Sequence, residues 1–73
     1  MFDLSVASAH HVRHYCVTLA GDSGWEVTIE EDRAVQFRET LEDWHHVERS
    51  VARMRREVSE LLDRGWQIQP FNQ

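Results

Sequence analysis

The spacing of apolar side chains switches from the period of a strand to that of a helix just after residue 39, and that switch constrains the fold more than any other feature. From residue 12 to residue 39 apolar residues recur at every second position, the repeat of a strand with one buried face. From Trp44 to Leu62 they recur at every third or fourth, the repeat of an amphipathic helix. A chain that reads as strands and then as a helix folds as a two-layer α+β domain, because each part has one apolar face and only the other part to bury it against.

The strands can be placed one by one. In Val12-Arg13-His14-Tyr15-Cys16-Val17-Thr18-Leu19, the residues Tyr15, Val17 and Leu19 fall on one face and His14, Cys16 and Thr18 on the other. Ala20-Gly21-Asp22-Ser23-Gly24 are turn formers, and Trp25 to Glu30 then alternates without error. Glu31-Asp32-Arg33 can turn the chain again, after which Val35 and Phe37 share a face with Gln36 and Arg38 opposite. The expectation is a three-stranded antiparallel sheet over about 12–19, 25–30 and 34–39.

Thr40-Leu41-Glu42-Asp43 has the spacing of a capping box, which places one long helix over about 41–64. Its stripe is Val47, Val51, Met54, Val58, Leu61 and Leu62, and Gly65 supplies the C-terminal cap. A single helix from about residue 31 also fits Phe37, Leu41 and Trp44, but it would leave a lone hairpin, which is marginal in water. Three strands are therefore preferred. Beyond Gly65, Trp66 to Phe71 alternates again, and Pro70 confines it to a short edge segment. The expected core is Tyr15, Val17, Leu19, Trp25, Val27, Ile29, Val35 and Phe37 against the helical stripe.

Seventy-three residues suffice for one domain, and the single cysteine, Cys16, excludes an internal disulfide. The first residues carry Asp3 where a signal peptide carries basic residues, and no apolar run approaches the ~20 residues that span a bilayer, so a cytoplasmic setting without membrane contact is expected. A helix of about 24 residues measures ~36 Å, longer than strands of ~25 Å, and should overhang the sheet. Val58, Leu61, Leu62 and Trp66 then need a cover, which makes a homodimer the expected assembly.

The net charge of −5 is unevenly placed: residues 22–43 carry eight acids against two arginines. All eight basic residues are arginine, and His45, Arg49, Arg53 and Arg56 line the helix opposite its apolar stripe. Glu48 and Arg55 fall at the edge of that stripe, where they either snorkel past the sheet or meet a partner. The sheet face away from the helix would present Glu26, Thr28, Glu30, Gln36 and Arg38, with Asp22, Glu31 and Asp32 at the turns. That face is acidic and lacks the cations and stacking aromatics of sheets that bind nucleic acid, so no direct nucleic-acid contact is expected.

Five histidines lie in two clusters, and His14 shares a strand face with Cys16, with His10 in phase if the strand starts early. No paired Cys or His motif accompanies them, so no metal ligand and no cofactor are assigned. Cys16 with a histidine base would need a cleft and an oxyanion-hole loop that an open sheet does not supply, so no catalytic residue is assigned and the chain is read as non-enzymatic. The leading reading is a small acidic interaction or regulatory protein that meets its partner through Glu26, Glu30, Glu31 and Asp32 and the arginines Arg49, Arg53 and Arg56. One alternative is a phage-type inhibitor of the anti-CRISPR kind, an acidic decoy for nucleic acid in a nuclease or effector complex. The other is a His/Cys metal-binding protein.

Overall fold

Five strands and one helix follow in the order β1 (Phe2–Ala7), β2 (Val12–Leu19), β3 (Trp25–Glu31), β4 (Ala34–Leu41), α1 (Trp44–Asp63) and β5 (Gln67–Gln69). A computed structural model of the chain describes residues 2–69; Pro70 and Phe71, expected in the edge segment, lie outside the described residues. The strands form one antiparallel sheet in the order β4-β3-β2-β1-β5, and α1 packs on one face. The α+β architecture with one helix stands, but the sheet has five strands where three were expected. β1 joins because Phe2, Leu4 and Val6 alternate with Asp3 and Ser5, and the register sets Phe2 opposite Val17 and Leu4 opposite Tyr15, apolar against apolar on the helix side. β5 pairs Ser5–Ala7 and forms an edge, as its short alternation implied.

Each connection has a local cause. The Ser8 hydroxyl accepts from the amides of His10 and His11 at 3.4 and 3.2 Å and closes the β1–β2 loop. Asp32 and Arg33 form a two-residue hairpin loop with φ of 55° and 72°, the left-handed pair whose twist suits adjoining antiparallel strands. Gly24 approaches the end of β4 so closely that an added Cβ would lie 2.6 Å from the Leu41 carbonyl oxygen.

The helix starts later than the capping-box spacing implied. Leu41 stays in β4 opposite Trp25 and packs on the core, so Thr40 remains a strand residue. Asp43 is the N-cap instead, its carboxylate accepting from the His45 amide at 2.9 Å. At the far end Gly65, with φ of 100°, and Trp66 donate back to the carbonyls of Leu62 and Leu61, the double closure of a glycine-ended helix.

Val6, Tyr15, Val17 and Val27 from the sheet meet Val47, Met54, Val58 and Leu61 from the helix in the core. α1 begins at the corner where the rings of Trp25 and Trp44 meet at a tilt of 59° with centroids 5.0 Å apart, and it ends where β5 meets Ala7 at the opposite corner. It therefore crosses the sheet on a diagonal. Five strands ~19 Å across and ~25 Å long have a diagonal of ~31 Å, close to the ~30 Å of a 20-residue helix. The expected overhang is absent for this reason. Val58 and Leu61 are covered by the chain's own sheet, Trp66 packs against the core, and Leu62 is turned partly to solvent.

Three residues expected in the core are exposed instead: Leu19, Val35 and Phe37. A bulge between Ile29 and Glu30 is the cause for Val35: Ile29 faces Phe37, the next residue Glu30 faces Val35, and Gln36 is the extra residue. Val35 is thereby turned to the face away from the helix. Phe37 keeps the helix side, but on the edge strand farthest from the end of α1. Among the described residues no helix is long and apolar enough to cross a membrane.

Candidate functional site

A helix laid on the diagonal leaves two flanks of the sheet's apolar face partly uncovered. The flank beside β4 holds two adjoining depressions of about 280 and 180 Å³ that share Ser50 and Arg53. Ile29, Phe37, Leu41 and Met54 give this groove an apolar floor; Arg49 and Arg53 stand along its helix wall beside Glu57, whose carboxylate is already engaged by Arg13 and Tyr15, and Glu39 is on the strand side. β4 is one of the two edge strands of the sheet, and seven of its eight residues are exposed. The two arginines expected on the back of the helix thus overlook a strand edge that is unpaired among the described residues, whereas Arg56 is exposed and lines neither depression.

The opposite flank is a groove of about 340 Å³ between α1 and the start of β1, lined by Phe2, Val17, Trp44, Val47 and Val51. Glu48 and Arg55 form its rim, and the Arg55 guanidinium lies 5.1 Å from the centre of the Phe2 ring. Their odd place at the edge of the apolar stripe is explained: both border this groove. The rim carries one charge of each sign and so prefers neither.

A polar cluster ties the two layers together between these flanks. Tyr15, fully buried, donates to the Glu57 carboxylate at 2.6 Å, and Arg13 donates both to Glu31 at 2.8 Å and to Glu57. Burial first, and then the bond to Glu57, pushes the Tyr15 hydroxyl up to about 12.

The four acids expected to act as one surface are divided. Glu26 and Glu30 lie on the open face of β3, where Arg38 approaches Glu26 at 3.7 Å. Glu31 is on the helix side with Arg13, and Asp32 accepts from the Val12 amide at 2.9 Å while its other oxygen lies 2.8 Å from His11 Nδ1. The hydrogen bond to Asp32 raises the His11 pKa, and the same bond with the Val12 amide lowers that of Asp32.

On the open face, Asp3 stands directly opposite Cys16, and His14 Nε2 lies 2.5 Å from Asp3 Oδ1. Burial, and then the charges of Asp3 and Glu30, push the Cys16 thiol up. His10 sits in the loop before β2 and takes no part. Asp3 is the residue that the sequence reading passed over, although its place in the Phe2–Val6 alternation marks it as a strand residue on the same face as its partners. Compared with known protein families, curated proteins and solved structures, the chain matches none.

Proposed function

We propose that this chain is a non-enzymatic interaction module that captures an extended, acidic segment of a partner protein along β4. The observation that carries the reading is the coincidence of an outermost strand, an apolar floor and two arginines on one groove. A strand added to a sheet edge gains affinity from main-chain hydrogen bonds and specificity from alternate side chains that meet pockets. Here the inward-pointing residues of such a segment would cover Phe37 and Leu41, and its carboxylates would reach Arg49 and Arg53. The bulge at Gln36 leaves Phe37–Leu41 as the regular stretch on which pairing can run.

The decoy alternative has weaker support, since Glu31 and Asp32 are engaged by Arg13 and His11 and only Glu26 and Glu30 remain on the open face. Self-association has lost the overhang that motivated it, because Val58 and Leu61 are covered within the chain.

Selection from a displayed library of random ten-residue segments tests the reading. Wild type should enrich segments that alternate apolar and acidic residues, and bound peptide should slow amide exchange in Phe37–Leu41. The double variant Arg49→Glu, Arg53→Glu should lose those segments and shift the preference to basic ones. Enrichment without acids, or protection confined to the groove at Phe2, would overturn it, and competition by an oligonucleotide would favour the decoy.

A further inference from the structure

The open face of the sheet brings together three side chains of different donor chemistry on two neighbouring strands. Asp3 and Cys16 are direct cross-strand partners, and His14 precedes Cys16 by two residues and shares its face. A carboxylate oxygen of Asp3, a ring nitrogen of His14 and Sγ of Cys16 all lie within 4.8 Å of one another. His14 and Asp3 are each about one-third exposed, at 33% and 39%, so the group is reachable from solvent and rooted in the sheet. We propose that Asp3, His14 and Cys16 form a binding site for a borderline-soft divalent cation, Zn2+ before others.

The donor set selects the ion. Calcium and magnesium take oxygen ligands, whereas one thiolate, one imidazole and one carboxylate match zinc, with bonds of ~2.0 to 2.3 Å. Small rotations about the side-chain bonds bring three donors already this close onto such a sphere, with the cation entering between His14 and Asp3 in place of their hydrogen bond. The fourth position falls to water or to Glu30, which is opposite His14 on β3. Glu26 and Glu30 on the same face add negative potential that favours a cation. As the sulfur–metal bond forms, the thiol proton passes to the buffer, and no electron is transferred.

A second acidic group, His11 with Glu31 and Asp32, serves as the internal comparison. It has no sulfur, and its carboxylates already hold Arg13 and the Val12 amide.

Titration of reduced, tag-free protein with Co2+ tests the site, because a cobalt–thiolate bond gives a near-ultraviolet charge-transfer absorption that carboxylate and imidazole cannot. One equivalent should produce that absorption, and Zn2+ should abolish it and protect Cys16 from a thiol reagent. Cys16→Ser should remove the absorption, and Asp3→Asn and His14→Gln should each weaken binding by more than about tenfold, with unchanged circular dichroism. His11→Ala should leave both readouts unchanged. Absence of the absorption in folded wild type overturns the proposal, as does loss of binding in His11→Ala. Equal Co2+ affinity in the Cys16→Ser, His14→Gln double variant also overturns it and means an adventitious ion only.

Discussion

The hydroxyl of Tyr15 donates to the carboxylate of Glu57 at 2.6 Å, a direct link between the centre of the sheet and the centre of the helix. Removing the hydroxyl in Tyr15→Phe leaves Glu57 with Arg13 alone and should cost about 1.5–3 kcal/mol, the range for a hydrogen bond to a charged group. In a domain this small each kcal/mol lowers Tm by roughly 4–8 °C, so thermal unfolding reads the change directly.

The same residue gives an alkaline signature. Its folded pKa, about 12, is above the ordinary 10, so the native state holds a proton that the unfolded chain has released. The stabilisation is present below pH 10 and is lost as pH rises toward 12, at up to about 1.4 kcal/mol per pH unit. Tyr15 is the chain's only tyrosine, so its phenolate absorbance can be followed against unfolding. Wild type should ionise with unfolding, and Tyr15→Phe should show a shallower decline; equal declines would place the tyrosine outside the coupling.

Much of this fold is legible in the sequence because it depends on local period. Trp25–Glu30, the stripe from Val47 to Leu61 and the Gly65 cap all need only neighbours within one turn or one pleat. β1 was legible too: Phe2, Leu4 and Val6 alternate with Asp3 and Ser5 as cleanly as β3 does. What no local pattern reveals is register. The bulge that turns Val35 outward depends on which residue of β4 meets Glu30, and Asp3 reaches Cys16 only because the Ser8–His11 loop sets the β1–β2 pairing. The groove beside β4 is likewise a consequence of the angle at which α1 crosses the sheet.

Arg33 occupies the second position of the β3–β4 loop with φ of 72°. A side chain in that left-handed region costs about 1–2 kcal/mol, a penalty that glycine escapes and that the greater freedom of an unfolded glycine offsets in part. Arg33→Gly should therefore raise stability by about 1 kcal/mol in urea unfolding. A loss of stability would mean that the Arg33 side chain makes a contact outweighing its backbone strain.

His11 and Asp32 make the hairpin sensitive to pH in a defined window. The histidine pKa is raised by its hydrogen bond to Asp32, so its contribution is complete below the ordinary 6.5 and is lost as pH rises through the shifted value. The aspartate pKa is lowered by the same bond, so its contribution is present above the ordinary 3.8 and is lost as pH falls through the shifted value. The pair is tightest between these two limits. An NMR titration should find His11 above the ordinary histidine pKa, and Asp32→Asn should lower it toward that value, with the charge of Glu31 keeping the smaller remaining part. A His11 pKa that does not respond to Asp32→Asn would show that the pair is not formed in solution.

Truncations on the helix and on the edge strand separate the element that builds the core from the strand that is offered to a partner. Met54 is 3% exposed and sits beneath the middle of α1, so Met54→Ala should cost about 2–5 kcal/mol. Phe37 is 43% exposed on the edge strand, and a side chain left that open stabilises the free domain by less than its full burial would, about 1 kcal/mol. The capture of an extended segment covers Phe37, so Phe37→Ala should weaken selected peptides far more than it destabilises the protein. If Phe37→Ala instead unfolds the domain as Met54→Ala does, β4 is part of the core and the site proposed along its edge fails.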